Sequence, residues 1–324
     1  MRAVLLLLLL AFAAGPQRAA AEERVWRVGL LSNSSPPPSD VTTTYHDEIL
    51  RALAHDGFAV GKNLQFIERY SENHADRLPL LAREINAAGA DVIVAVSDVS
   101  IRAALAATKS TPIVMVAGDD PVTTGLVASF AHPGGRVTGI FFQVSEGDAK
   151  RLELLSEAIP SARRLGYLGV SFQRTTRADT MASAAARLGI ELVMHWVEGP
   201  AEYGFAFAAM KNEGAAGAVV AASQPLASHA REVAARASEN GLPTICEWDY
   251  MARVGCVFGF GHDLAYAQYR VGEYVARILK GALPAELPVE RPDKWKLTVN
   301  RGVAQRLGVV IPPLILARAD EVIE

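Results

Sequence analysis

Short apolar, β-branched runs alternate along this chain with longer stretches whose apolar residues recur every three or four positions. The first pattern predicts strands and the second helices. Residues 26–32 (WRVGLLS) form a first strand and run into Ser-Asn-Ser-Ser-Pro-Pro-Pro. A helix over 45–56 is stopped by Gly57, and a second strand covers 64–70. Helices at 78–88, 100–108 and 122–130 then alternate with strands at 91–96 (DVIVAV), 112–116 and 138–142. The pattern restarts with a helix at 150–158, a strand at 164–170 and a helix at 176–188 stopped by Gly189. A strand at 191–196, a helix at 203–211, a strand at 218–221 and a helix at 226–239 follow. Strands at 244–246 and 254–260 precede a long helix at 264–280. Continuous apolar strands alternating with helices predict an α/β chain, its parallel sheets covered by helices on both faces. The restart predicts two doubly wound parallel-sheet domains of similar size, with a break near 140–150. The proline-bearing tail after Leu283 returns across that break.

The first residues follow a different rule. Met1-Arg2 gives a positive start, residues 3–14 an apolar core with Leu5 to Leu10, Gly15-Pro16 a break, and Ala19-Ala20-Ala21 a small-residue cleavage site. This layout predicts a signal peptide over 1–21, since about 12 apolar residues are too few for a bilayer span of about 20. With no cysteine beside the cleavage site to carry a lipid, the mature chain is expected to be exported, soluble and periplasmic.

Composition works mainly by exclusion. With 50% of the 324 residues hydrophobic, a disordered chain is excluded, and a net charge of −3 argues against a nucleic-acid partner. Two cysteines exclude a disulfide-dense scaffold and a structural zinc ribbon. In an oxidising compartment Cys246 and Cys256 can pair, or can sit as buried thiols; their spacing leaves both open. There is no H-E-x-x-H helix, no G-x-S-x-G elbow and no complete P-loop, and Gly259-Phe260-Gly261 lacks the third glycine of a dinucleotide fingerprint. The seven histidines never fall at i, i+4 spacing. No catalytic residue, cofactor or metal is expected.

What recurs is polar residues just after strands, where doubly wound sheets bind ligands. Ser32 and Asn33 follow the first strand, Ser97, Asp98 and Ser100 the third, Asp119 and Asp120 the fourth, and Phe142 ends the fifth. In the second half Ser171 and Phe172, then Ser223 and Gln224, then Glu247, Trp248 and Asp249 hold equivalent places. Each Ser or Asp also suits the N-cap of the next helix, worth about 1 kcal/mol. Gathered on two facing halves, they outline a cleft where helix N–H groups can meet a ligand carboxylate.

Specific words sharpen this. Gly57-Phe58-Ala59-Val60-Gly61-Lys62-Asn63, Leu81-Ala82-Arg83-Glu84, Asp91-Val92-Ile93-Val94 and Thr111-Pro112-Ile113-Val114 are family-like segments. So are Asp120-Pro121-Val122, Gly125-Leu126-Val127-Ala128-Ser129, Pro133-Gly134-Gly135 and Val137-Thr138-Gly139. Arg151-Leu152-Glu153-Leu154-Leu155, Ile278-Leu279-Lys280-Gly281, Leu287-Pro288-Val289-Glu290 and the closing stretch from Leu316 to Glu324 complete the set. Over nearly its whole mature length the chain resembles the tryptophan/tyrosine-type family of ABC transporter periplasmic substrate-binding proteins. The resemblance implies the type I periplasmic binding-protein fold, a ligand cleft between two lobes, a hinge of three crossings, and no enzymatic activity. The expected lobes are 22–142 with about 262–292, and 143–261 with about 293–324. The implied role is the solute-binding component of an ABC importer, a monomer that clamps a small solute by hinge closure and delivers it to permease subunits. The alternative is a ligand-sensing protein feeding a membrane receptor or kinase.

Four places depart from the family's usual residues. Asp98 and Asp119 stand where small or hydroxyl residues are usual, Glu247-Trp248-Asp249 where Arg is frequent, and Phe260 where Tyr is common. Each makes the cleft more acidic or less hydroxylated, and unpaired carboxylates in a closed cleft are costly without a cation. The expected ligand therefore carries a positively charged nitrogen, as an amino acid or amine does. Ser97 and Ser100 would hold its carboxylate, Asp119 and Asp98 would face its ammonium, and Phe142, Phe172 and Trp248 would form apolar walls. The same carboxylates also suit helix caps facing water, and the aromatics also suit core packing.

Overall fold

The computed structural model describes residues 24–36 and 45–324, and the expected signal peptide lies outside them. The first half is built from β1 (Trp26–Ser32), α1 (Tyr45–His55), β2 (Leu64–Tyr70), α2 (Leu78–Ala87), β3 (Val92–Val96), α3 (Asp98–Ala107), β4 (Ile113–Ala117) and β5 (Val137–Phe141). Its five strands are all parallel, in the order β2-β1-β3-β4-β5. The central strands VIVAV and IVMVA are buried almost throughout, as strands covered on both faces must be.

The second half contains α4 (Val144–Ala158), β6 (Arg164–Val170), α5 (Arg174–Leu188), β7 (Glu191–Val197), α6 (Tyr203–Asn212) and β8 (Ala218–Val220). It continues through α7 (Gln224–Ser228), α8 (Ala230–Glu239), β9 (Thr244–Cys246), α9 (Asp249–Arg253) and β10 (Phe258–His262). After α10 (Leu264–Leu279) come β11 (Trp295–Asn300), α11 (Arg301–Arg306), α12 (Pro313–Arg318) and β12 (Glu321–Ile323). The second sheet runs β12-β11-β10-β9-β8-β6-β7, parallel except where β11 lies antiparallel to β10. No described helix is long and apolar enough to cross a membrane.

Helix α10 follows a strand of the second sheet but packs on α1 and on β3, β4 and β5 of the first. Gly272 permits the close approach to α1, since a Cβ there would lie 2.6 Å from the Ile49 carbonyl oxygen. The chain therefore passes between the halves three times: at Phe142–Val144, at His262–Leu264, and between Glu290 and Trp295. Glu290 is still bonded to the first sheet, accepting the Phe141 N–H at 3.0 Å. The crossings are tied together by aromatic side chains. The His262 ring lies 4.1 Å from Trp295 and 5.3 Å from Phe142, and its Nε2–H donates to the Phe142 carbonyl at 2.9 Å.

Four expected elements differ, the first being the helix expected at 150–158, which begins six residues earlier, at Val144. Residues 122–130 form turns, because Gly125 sits at φ +72° and the Leu126 and Val127 N–H groups both fold back to the Pro121 carbonyl. The helix expected at 226–239 is broken at His229, whose ring nitrogen takes the Pro225 carbonyl that its own N–H would use in a continuous helix. The strand expected at 254–260 begins four residues later, at Phe258. Gly255 turns at φ +130° after the short α9, and Cys256 is bonded to Cys246.

Candidate functional site: a cleft between the two sheets

The carboxyl ends of β3, β4, β5, β8 and β9 meet at one pocket. It is lined by Val96, Ser97, Val116, Ala117, Phe142 and Val144 on one side, and by Ala222, Ser223, Gln224, Ala227, Glu247 and Trp248 on the other. Two aromatic side chains close its wall: Phe142 meets Trp248 edge-on with ring centroids 5.5 Å apart, and both are buried.

On the first-sheet side, Ser97 heads the ten-residue helix α3 with φ +88° and ψ 153°, a conformation that glycine adopts readily and other residues at a cost of about 1–3 kcal/mol. Its hydroxyl lies 3.0 Å from the Ser100 hydroxyl and accepts the Ser100 N–H. Ser100 is fully buried and lies outside the pocket lining, so this region offers the Ser97 hydroxyl and the positive end of a helix dipole, a setting that favours a carboxylate.

On the other side, Ser223 caps α7 by accepting the Leu226 N–H. Glu247 extends beyond β9 and is only 7% exposed. Gly261 on the neighbouring strand makes room for it, because any side chain there would collide with the Glu247 carbonyl oxygen. The Glu247 carboxyl makes no hydrogen bond to a described residue. Burial pushes its pKa up to about 7, with Arg151 and Arg177 pulling it down and Asp148 pushing it up.

Behind the pocket lies a buried ionic cluster. Asp148 accepts from Arg151 at 2.5 Å, from the Tyr167 hydroxyl at 2.8 Å and from the Ala222 N–H at 3.0 Å. Arg151 also donates to the Phe260 carbonyl at 2.8 Å, and Arg177 donates to the Ser145 hydroxyl at 3.0 Å. The cluster thus fixes α4, α5, β6 and the β8 loop around the cleft. Sequence reasoning missed Asp148, Tyr167 and Arg177 entirely, and noted Arg151 only inside a resembling word. The i, i+3 spacing of Asp148 and Arg151 was the available signal, but it looks like an ordinary exposed helix pair.

The other expected site residues are distributed as follows. Asp119 lies 3.6 Å from Arg177, so a protein cation already faces it. Asp98 accepts the Gly118 N–H at 3.2 Å and does not line the pocket; burial and the Asp119 charge hold its pKa above the ordinary range. Asp120 caps its own turn through the Val122 and Thr123 N–H groups. Asp249 turns away toward Lys296 and Arg253, at 2.9 and 3.0 Å. Ser32 bonds Ser34, and Asn33 accepts from Ser71, which joins the ends of β1 and β2 outside the pocket lining. Ser171 and Phe172 lie after β6, also outside the lining, with Phe172 71% exposed. Cys246 and Cys256 form a disulfide that closes the loop carrying Glu247 and Trp248. Among the described residues, no group of three or more metal-binding side chains is placed to hold an ion.

Comparison with known proteins agrees with this architecture. A tyrosine-binding protein of Clostridioides difficile (strain R20291) is 26% identical over 267 residues, 80% of this chain and 75% of that protein. A conserved domain protein from Vibrio cholerae superposes with a TM-score of 0.82 at 25% identity, over 92% of this chain and 100% of that one. An ABC domain from Streptococcus pneumonia in complex with L-Trp superposes with a TM-score of 0.80 at 24% identity, again over 92% and 100%. Residues 39–323 match the family described as ABC transporter substrate binding protein. With two parallel-sheet α/β halves in the type I periplasmic binding arrangement and a pocket between them, this chain belongs to the ABC transporter substrate binding protein family.

Proposed function

We propose that this protein is the exported solute-binding component of an ABC importer, and that it clamps an amino acid between its two lobes. The observation that carries the reading is the pocket lining, which draws on both sheets: Ser97 and Phe142 on one side, Ser223 and Trp248 on the other. A solute that touches both sides favours the closed arrangement over the open one, and hinge closure follows from that differential binding. The three crossings, gathered around His262, are the natural hinge. Ser97, held from behind by the buried Ser100 hydroxyl, and the α3 N-terminus suit the solute carboxylate, while Phe142 and Trp248 offer an apolar wall for a side chain. The tyrosine-binding relative supports an amino acid as the first solute to try. The apolar segment at 1–21 supports export, and the closed face would be presented to permease subunits in the membrane.

A thermal-shift screen against amino acids, amines, organic acids and nucleosides tests the reading. A solute at a hundred times its dissociation constant adds about 2.7 kcal/mol of stability, enough to see plainly. An amino acid is the expected hit. A screen whose hits are all nucleosides, or which has none, overturns the amino-acid reading.

A further inference from the structure

Five carboxylates stand near the strand ends that face the cleft, and four of them have at least one partner in the fold. Asp119 is matched by Arg177, Asp120 by the Val122 and Thr123 N–H groups, and Asp249 by Lys296 and Arg253, while Asp98 takes the Gly118 N–H on one oxygen and keeps the other buried without a partner, outside the pocket lining. Glu247 alone among them both lines the pocket and has no hydrogen bond or ion pair to a described residue at either oxygen. It is more than nine-tenths buried. Its place is also built rather than incidental. The disulfide anchors the residue before it, and Gly261 leaves the space its backbone occupies.

A buried carboxyl has two ways to avoid the cost of an unpaired charge: it keeps its proton, or a cation comes to it. The charged groups around Glu247 are Arg151 and Asp148 from α4 and Arg177 from α5. Both arginines are already engaged, Arg151 with Asp148 and the Phe260 carbonyl, Arg177 with Ser145, Asp148 and Asp119. The free acceptor therefore points to a ligand. On the opposite side of the same pocket sit Ser97 and the head of α3, which suit a carboxylate.

We infer that Glu247 is the cleft's receptor for a positively charged nitrogen, so that the solute is a zwitterionic amino acid rather than an organic acid or a sugar. The inference rests on reading the cleft as a solute-binding site, and it moves the ammonium contact from Asp119 and Asp98, as expected from sequence, to Glu247.

Calorimetric titrations near pH 8 with two matched pairs test it: L-tyrosine against 3-(4-hydroxyphenyl)propionate, and L-tryptophan against indole-3-propionate. Each pair differs only by the amino group. The expected result is that an amino acid binds at least about a hundredfold more tightly than its deaminated partner, since a site built around a polar group rejects an analogue lacking it. Glu247→Gln should remove most of that preference. If the variant fails to fold, the preference of the unaltered protein decides alone. Equal binding within a pair, or preference for the deaminated acid, overturns the role of Glu247 and leaves the solute-binding reading in place. No binding by any of the twenty protein amino acids or by either deaminated acid overturns both.

Discussion

Arg177 on α5 and Asp119 after β4 face each other across the cleft, guanidinium to carboxylate at 3.6 Å, one from each half of the molecule. Arg177 is buried, but the Asp119 side chain is 40% exposed, so water screens much of the attraction. A pair of this kind is worth roughly 0.2–1 kcal/mol. Asp119→Asn should therefore weaken solute affinity by only a few fold, by making the closed arrangement less favourable. Small-angle scattering of the unliganded variant should show a more open particle. An unchanged affinity and an unchanged scattering profile would remove this pair from closure.

Asp148 should matter far more. It is fully buried and holds Arg151, Tyr167 and the Ala222 N–H at once, with Arg177 at 3.7 Å. Asp148→Ala leaves two buried guanidinium groups without their counter-charge and should cost about 3–5 kcal/mol. Tyr167→Phe removes one hydrogen bond to the same carboxylate and should cost about 1–2 kcal/mol. Urea unfolding of both variants gives the ranking. An Asp148→Ala protein as stable as its parent would contradict the account of the cluster.

The Cys246–Cys256 disulfide closes a short loop that carries two pocket residues, Glu247 and Trp248. Chain-entropy arguments give about 3 kcal/mol for a loop of this length. The double variant Cys246→Ser, Cys256→Ser should lose stability of that order. It should also bind solute more weakly, because both residues are then held less firmly. Thermal unfolding with and without solute separates the effects, and full affinity in the double variant would show that the loop is positioned without the bond.

The buried carboxyl of Glu247 gives the protein a pH signature. Its pKa is raised to about 7 by burial, above the ordinary 4.5. Its favourable contribution to folding is therefore complete below about 4.5 and is lost as pH rises through about 7, a change of about 3 kcal/mol at most. His262 slopes the other way: burial lowers its pKa to about 4, so its contribution is present above about 6.5 and lost as pH falls through about 4. The difference between the unaltered protein and Glu247→Gln isolates the first effect. Unliganded, the gap in stability should widen in favour of the variant between about pH 5 and pH 8. Parallel stability curves across that range would place the Glu247 pKa elsewhere.

Much of the fold was legible from sequence because buried parallel strands announce themselves. VIVAV and IVMVA have no other reasonable place, and Gly189 ends α5 at φ +65° where its type suggests it should. What failed was local backbone chemistry. Gly125, His229 and Gly255 each redirect the chain through one φ value or one side-chain bond, which apolar periodicity does not record. The site was half legible. Placing polar residues after strands pointed to Ser97, Ser223, Gln224, Glu247 and Trp248, which the fold brings to one pocket with Phe142. It pointed equally to Asp119 and Asp249, whose partners Arg177 and Lys296 lie 58 and 47 residues away in sequence and become neighbours only in three dimensions. The buried Asp148–Arg151–Arg177 cluster shows the same limit, since charged helix residues signal an exposed face until the opposing sheet is known.

The central claim is that an amino acid is held by both halves of the molecule at once. Isothermal titration of the purified protein with L-tyrosine and L-tryptophan, repeated on Ser97→Ala and Trp248→Ala, tests it most directly. The account predicts one-to-one binding of an amino acid, weakened at least about tenfold by each substitution, as expected when contacts worth about 1.4 kcal/mol or more are lost on either side. Binding that neither substitution alters, or that responds only to the residue of one lobe, would contradict it.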